Sequence, residues 1–105
     1  MTETETNIIT EGALDIMQLI EEDPEISQRV ISKKSGFSLG KVNYCLKALI
    51  DIGYIKLHNF NKSTTKSSYS YVLTPKGMRD KITITKKFIM KKQQEFDKLN
   101  LYINK

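Results

Sequence analysis

Four residues with small or hydrogen-bonding side chains share one side of a predicted helix near the middle of the chain: Gly40, Asn43, Tyr44 and Lys47. Their spacing of three, one and three positions gathers them on one face at 100° per residue. The opposite face is apolar and carries Val42, Leu46, Leu49 and Ile50. The stretch therefore predicts a helix that buries one side and offers the other for contacts outside the fold.

Recognition of base edges in the major groove of a DNA duplex is the chemistry that such a face supports. Asn43 can pair bidentately with adenine, Lys47 can reach guanine or a phosphate, and Tyr44 adds a ring and a hydroxyl. Gly40 has no side chain to hinder close approach. Because polar solvent-facing helix sides are common, a merely solvated surface is the alternative for each residue taken alone.

Phosphate-binding groups are expected to surround this face. Ser38 and the backbone N–H groups at the start of the helix are suited to hold a phosphate, and Lys41 stands at the edge of the face. Further cations on the preceding helix are Arg29, Lys33 and Lys34. These groups would position a duplex without reading its sequence.

Catalytic and metal-binding constellations are missing from the sequence. The chain has one histidine, His58, and one cysteine, Cys45, whereas a metal site or a nucleophile–histidine–acid set requires more. Cys45 lies at the edge of the apolar face and is interpreted as a small core residue in preference to a redox sensor. We expect no enzyme, no metal and no cofactor.

The cytoplasm is the expected compartment. A single cysteine suits a reducing environment, and no apolar run approaches the ~18–20 residues that cross a bilayer. The acidic start "MTETETNIITEG" lacks the basic region of a secretory signal.

Two helices are predicted ahead of the two-faced one. Residues 1–8 form an acidic tail, and apolar residues at helical spacing predict a helix over about residues 9–22. Pro24 ends it. Ser27 then caps a short helix, Gln28 to Lys34, whose inward residues are expected to be Val30 and Ile31.

The two-faced helix is expected to span about residues 38–52, with Ser38 as its cap and Gly53 at its end. The period then changes from 3.6 to two, which predicts a pair of strands over about residues 54–74. Residues expected to face inward are Ile55, Leu57, Tyr69, Tyr71 and Leu73. The polar loop "NKSTTKSS" between the strands carries Lys62 and Lys66, which can lie along a phosphate backbone or in the minor groove; a solubilising loop is the alternative.

A long final helix is predicted from Thr74 and Pro75 to the end of the chain. One apolar series recurs every seven residues, Ile82, Ile89, Phe96 and Ile103, and its companion series is Met78, Thr85, Lys92 and Leu99. This is half of a coiled-coil seam. We expect Met78, Ile82, Ile89, Phe96, Leu99 and Ile103 to contact a second copy of the chain. An anionic membrane surface is the alternative for this basic amphipathic segment.

The charge distribution favours a polyanionic partner. The formal net charge is +5, but residues 1–26 contain eight acidic and no basic residues, so residues 27–105 hold all 17 lysines and arginines against four acidic groups. A basic region of this kind is typical of nucleic-acid binding.

The predicted order is three helices, a hairpin and a helix, a mostly helical α+β fold. It corresponds to a winged helix-turn-helix over residues 9–74 followed by a dimerisation helix over 75–105. The segments "SLGKVNYCLKALIDIGYIK" and "LTPKG" resemble the MarR family of bacterial transcription regulators, in particular its short exopolysaccharide-associated subgroup. The resemblance implies a recognition helix at 38–52, a wing tip at 61–68, and a homodimer that controls transcription, usually as a repressor.

Two departures from the family pattern bear on function. The wing lacks the acidic and arginine residues of typical members, so bidentate phosphate contact is lost. The chain is also shorter, which leaves less room for the small-ligand pocket that typical members have. The leading hypothesis is a dimeric regulator that binds an inverted-repeat operator. The alternatives are a protein-interaction module with an acidic partner and a non-specific architectural DNA binder.

Overall fold

The computed structural model describes residues 10–58 and 70–104. Within them the chain forms four helices and a two-stranded antiparallel sheet. In chain order the elements are α1 (Glu11–Glu22), α2 (Gln28–Ser35), α3 (Leu39–Ile52), β1 (Ile55–His58), β2 (Ser70–Leu73) and α4 (Pro75–Ile103). The mostly helical class and the long final helix that the sequence predicts are confirmed.

Hydroxyl side chains set where the four described helices begin. Thr10, Ser27, Ser38 and Thr74 each accept a hydrogen bond from the backbone N–H three residues later, which satisfies one of the donors that a helix start leaves open. Glycines in the left-handed region end α2 and α3: Gly36 has φ 80° and Gly53 has φ 93°. The cap residues named from the sequence at positions 27, 38 and 74 are confirmed.

The core lies where α1, α2 and α3 meet the base of the sheet. Its fully buried side chains come from the four helices, from β1 and from the residue before β1: Ile16, Met17, Ile20, Ile31, Val42, Leu46, Leu49, Tyr54, Ile55 and Ile84. α3 contributes three of them at helical spacing, so its apolar face is the one that the fold buries.

Three residues expected inside are exposed. Val30 is 40% exposed, Ile50 36% and Leu57 48%. α2 meets the core along a narrow edge on which only Ile31 is buried. In α3, Cys45 and Ile52 pack against the core in place of Ile50. The paired strands pass beyond the core, so the buried pair is Ile55 and Leu73 at the base of the hairpin.

The start of α4 is bonded to the end of α3. The Thr74 hydroxyl donates to the Gly53 carbonyl at 2.5 Å, and the Lys76 ammonium donates to the Ile52 carbonyl at 3.0 Å. The buried Tyr54 between them donates its hydroxyl to Asp80 Oδ2 at 2.9 Å. These bonds satisfy carbonyls that a helix end leaves open. They also fix the position of the first turn of α4.

Two ion pairs join α1 to α4 at points about one α1 length apart. Lys81 Nζ lies 2.6 Å from Glu21 Oε1, and Lys92 Nζ lies 3.0 Å from Glu11 Oε2. α4 thus runs antiparallel to α1 and continues beyond it, and the described molecule is 65 Å long. Among the described residues, no helix is apolar enough over a sufficient length to cross a membrane.

Candidate nucleic-acid interface

The polar face of α3 is open to solvent along its length. Gly40, Asn43, Tyr44 and Lys47 are all exposed, and Tyr44 projects with 75% of its surface accessible. The opposite face holds Val42, Leu46 and Leu49 at no more than 1% exposure. The fold therefore presents the four residues together as one surface.

The turn before α3 is held by short side-chain contacts. Ser32 Oγ donates to the Phe37 carbonyl at 2.5 Å, and the Phe37 N–H donates to Ser35 Oγ at 3.2 Å. Ser38 is exposed, and its Oγ accepts from the Lys41 N–H at 3.1 Å. These bonds connect α2, the turn and the first turn of α3, so the start of α3 is positioned by its neighbours.

Lys41 has a partner that the sequence analysis missed. Its ammonium lies 4.3 Å above the centre of the Phe37 ring, a cation–π contact. Phe37 in turn lies against Gly12, where an added Cβ would come within 2.3 Å of the ring. The aromatic residue one position before the cap Ser38 was the available signal. The Lys41 side chain is thereby directed along the α2–α3 turn.

Exposed cations lie on α2 and on α3 itself. Arg29, Lys33, Lys34 and Lys47 are exposed and form no ion pair within the described residues. Lys81 and Lys92, in contrast, are on α4 and form ion pairs with α1. Part of the acidic charge of α1 is therefore neutralised by lysines of α4, and the cations of α2 and α3 remain available to bind an anion.

The hairpin is hydrogen-bonded to the helical part of the fold. The Tyr71 N–H donates to the Pro24 carbonyl at 3.0 Å, and Gln28 Nε2 donates to the Tyr71 hydroxyl at 3.2 Å. Ser70, expected to point outward, is buried and donates to the His58 carbonyl at 3.2 Å. The predicted contact residues Lys62 and Lys66, together with Tyr69, lie outside the described residues.

A groove of about 340 Å³ adjoins the α3 surface. It runs between the first turn of α1 and the side of α3 that carries Tyr44, Cys45 and Ile52, with Phe37 and Lys41 at one end. Its volume is at the low end of the range for small-ligand sites. Cys45, expected to be a core-edge residue, is half-buried in the wall of this groove.

The predicted dimer residues lie on one exposed stripe of α4. Met78, Ile82, Ile89, Phe96, Leu99 and Ile103 are between 50% and 79% exposed. The inward side of α4 is instead marked by Ile84 and Gly77, both buried. Within the part of the chain that the structure describes, no set of three or more histidine, cysteine or acidic side chains is placed to hold a metal ion.

A family model described as "Winged helix-turn-helix DNA-binding" matches residues 13–56, the span from α1 into β1. No curated protein sequence matches the chain. The family match therefore covers the unit that contains the α3 surface.

Solved structures with a similar fold are transcription regulators. The PcaV transcriptional regulator from Streptomyces coelicolor is 13% identical with a TM-score of 0.68, and the alignment covers 92% of this chain and 78% of that one. MarR from Staphylococcus aureus, solved with salicylate and kanamycin, is 26% identical with a TM-score of 0.59, covering 86% and 57%. FabT from Streptococcus pneumoniae, solved with DNA, is 20% identical with a TM-score of 0.55, covering 90% and 59%.

The resemblance to MarR regulators drawn from the sequence is thus confirmed at the level of the fold. The chain spans less than two thirds of the length of the Staphylococcus and Streptococcus proteins. None of these matches bears on the exopolysaccharide-associated subgroup.

Proposed function

Because this chain carries a winged helix-turn-helix DNA-binding unit in a MarR-type fold, we propose that it is a homodimeric regulator that binds a specific duplex sequence in the cytoplasm. α3 enters the major groove, and the hairpin contacts the backbone or the minor groove. Binding represses transcription by occupying the site.

The observation that carries this proposal is that α3 exposes one side and buries the other. Asn43, Tyr44 and Lys47 face solvent together while the other side of the helix anchors in the core. Asn43 and Lys47 are assigned to base edges, with Tyr44 beside them. The assigned phosphate contacts are Arg29, Lys33, Ser38, Lys41, Lys62 and Lys66.

A two-fold arrangement follows from the exposed stripe of α4. Two copies joined along α4 would present two α3 helices to one face of a duplex, and each half-site would lie about one helical turn from the other. The operator is then an inverted repeat. We propose no small-molecule effector for this regulator.

Selection of binding sites from a random duplex library tests the proposal directly. We expect an inverted repeat to be recovered, with tighter binding to it than to scrambled duplex in a fluorescence anisotropy titration. Such a preference typically amounts to about 10³-fold or more for specific regulators.

Two other results would contradict the proposal. Equal affinity for selected and scrambled duplex would indicate a non-specific architectural DNA binder. Failure to bind any duplex more tightly than micromolar at 100 mM salt would favour an interaction module with an acidic protein partner.

A further inference from the structure

The stripe of α4 contains a surface hole of the kind that receives a side chain from another helix. A depression on the exposed side of α4 is lined by Ile89, Lys92, Gln93 and Phe96. Their spacing is i, i+3, i+4 and i+7, which is the four-residue hole of knobs-into-holes packing. An amphipathic helix that offers this hole at heptad positions fits a second helix.

The two polar residues that interrupt the stripe are already bonded within their own chain. The Thr85 hydroxyl donates to the Lys81 carbonyl at 2.6 Å, so its methyl group remains for packing. The Lys92 ammonium pairs with Glu11 at 3.0 Å, and the hydrogen bond and charge of Glu11 raise the pKa of Lys92. Neither residue needs a polar partner from a second helix.

We propose that the occupant is α4 of a second copy, packed antiparallel, so that Ile89 of each chain enters the hole beside Lys92 of the other. This inference rests on the dimer proposed above and specifies its geometry. In a parallel pair, the knob facing this hole would be the partner's Lys92, and two ammonium groups would meet in the seam. The antiparallel pair places the apolar Ile89 in this hole instead, and the two ammonium groups lie in successive layers, about 4.5 Å apart along the seam.

One antiparallel register pairs every residue of the stripe with a residue of the partner's stripe. It pairs Ile82 with the partner's Leu99, Ile89 with the partner's Lys92, Phe96 with the partner's Thr85, and Ile103 with the partner's Met78. A shift by one heptad in either direction leaves stripe residues at the helix ends uncovered. Because buried apolar area is the main favourable contribution to association, the fully overlapped register is the stable one.

Flanking charges agree with this register. In an antiparallel pair, flanking positions of the same type meet, so the basic Arg79 and Lys86 would lie beside the partner's Asn100 and Gln93. A parallel pair would instead bring Lys81 beside the partner's Lys86. The paired segment is roughly 38 Å long at 1.5 Å per residue, long enough for a coiled-coil interface.

Interchain disulfide formation tests the orientation and the register in the full chain. With Cys45→Ala as background, Ile82→Cys with Leu99→Cys is expected to give a covalent dimer on mild oxidation, because the two positions meet across the seam. The two cysteines cannot join within one helix, since they are roughly 25 Å apart along it. Each single variant is expected to remain uncrosslinked, because equivalent positions on the two chains are equally far apart.

Three results would overturn the proposal. Crosslinking of either single variant indicates a parallel pair. Crosslinking of Thr85→Cys with Ile103→Cys, when the 82–99 pair fails, indicates a register shifted by one heptad. No crosslink in any variant, with helical content unchanged by circular dichroism, excludes α4 pairing.

Duplex binding, measured on the same samples, separates this inference from the proposed function. Binding of a selected duplex without the expected crosslinks leaves the DNA-binding role standing and removes the antiparallel seam. An antiparallel covalent dimer that binds no duplex removes the DNA-binding role and keeps the seam.

Discussion

At the residue scale, Asn43 is the residue to which base recognition is assigned. The change Asn43→Ala removes a bidentate adenine contact, so discrimination at one base pair of each half-site should fall by about 1–3 kcal/mol. Anisotropy titrations with the selected duplex and with single-base variants measure this effect. Lys33→Ala is the contrasting variant, because a phosphate contact should weaken binding to all sequences alike; equal losses on every duplex for Asn43→Ala would refute its role.

Substitution by alanine is expected to affect stability differently at two glycines. At Gly77 a Cβ would lie 2.2 Å from the Tyr54 carbonyl oxygen, whereas at Gly40 the nearest atom is Ser38 Oγ at 4.0 Å. Gly77→Ala should therefore lower the free energy of unfolding by about 2–3 kcal/mol.

Gly40→Ala should leave stability unchanged or raise it by up to ~1 kcal/mol, and it should weaken duplex binding by crowding the base edges. Urea unfolding and anisotropy of both variants provide the measurements. Unimpaired DNA binding by Gly40→Ala would contradict close approach at this position.

The role of a residue was harder to predict from the sequence than the helix face on which the residue lies. The spacing of α3 was sufficient to separate Val42, Leu46 and Leu49 from the exposed Asn43 and Lys47. The Lys41–Phe37 contact was not predictable, because it depends on how the turn brings a ring under an ammonium group. Burial of Ser70 depends likewise on the partner strand that supplies the His58 carbonyl.

At the scale of elements, the junction of α3 and α4 depends on one hydroxyl. Thr74 Oγ1 donates to Gly53 and accepts from the Gly77 N–H at 3.0 Å. Thr74→Val removes both bonds, together with a longer one to the Tyr54 carbonyl at 3.3 Å, and leaves a part-buried carbonyl and N–H without these partners. The free energy of unfolding should fall by about 1–3 kcal/mol.

Thr83→Val is the matched control for that change. Thr83 is exposed on α4, and its side chain forms no hydrogen bond within the described residues. It should alter the urea midpoint little. Equal destabilisation by both variants would show that the effect comes from replacing a hydroxyl with a methyl group and not from the lost bonds.

The contact between α1 and the α4 stripe should tune dimerisation. Glu11→Gln leaves the Lys92 ammonium in the seam without its carboxylate, so the dimer dissociation constant should rise about 1.5- to 5-fold, as for exposed ion pairs. Glu21→Gln removes a comparable pair outside the stripe and should change it less. Sedimentation equilibrium measures both.

The pH dependence of this effect has a definite sign. Because Glu11 raises the pKa of Lys92, the pair is complete at neutral pH and is lost only as pH rises through that raised pKa. The difference between Glu11→Gln and the unaltered chain should therefore disappear in strongly alkaline solution. A difference that persists there would have another cause.

Element boundaries followed closely from caps and breakers, because hydroxyl caps and left-handed glycines act locally. The sequence placed α3 between Ser38 and Gly53, as observed. Inward and outward assignments failed where an element extends past the core, as at Leu57, or meets it along a narrow edge, as at Val30. Those outcomes depend on the neighbours and not on the period.

At the scale of the whole molecule, the number of joined units should determine the salt dependence of DNA binding. A dimer that neutralises six to eight phosphates should give a log–log slope of roughly −5 to −7. Phe96→Asp places a carboxylate in the seam and should reduce the slope to about −3 by separating the units. Gln94→Asp adds the same charge to α4 outside the stripe and should preserve the steep slope; equal slopes for both variants would contradict the dimeric mode.

The bonds that hold the first turn of α4 have a consequence for operator geometry. Since Thr74 and Lys76 bond the last carbonyls of α3, the tilt between the two α4 helices of the proposed dimer should set how its two α3 helices lie relative to each other. The number of base pairs between half-sites that the proposed dimer accepts should therefore depend on the angle at which the two α4 helices cross, far from the residues assigned to DNA contact. Repacking α4 alone should yield regulators that keep their half-site preference and require a different interval.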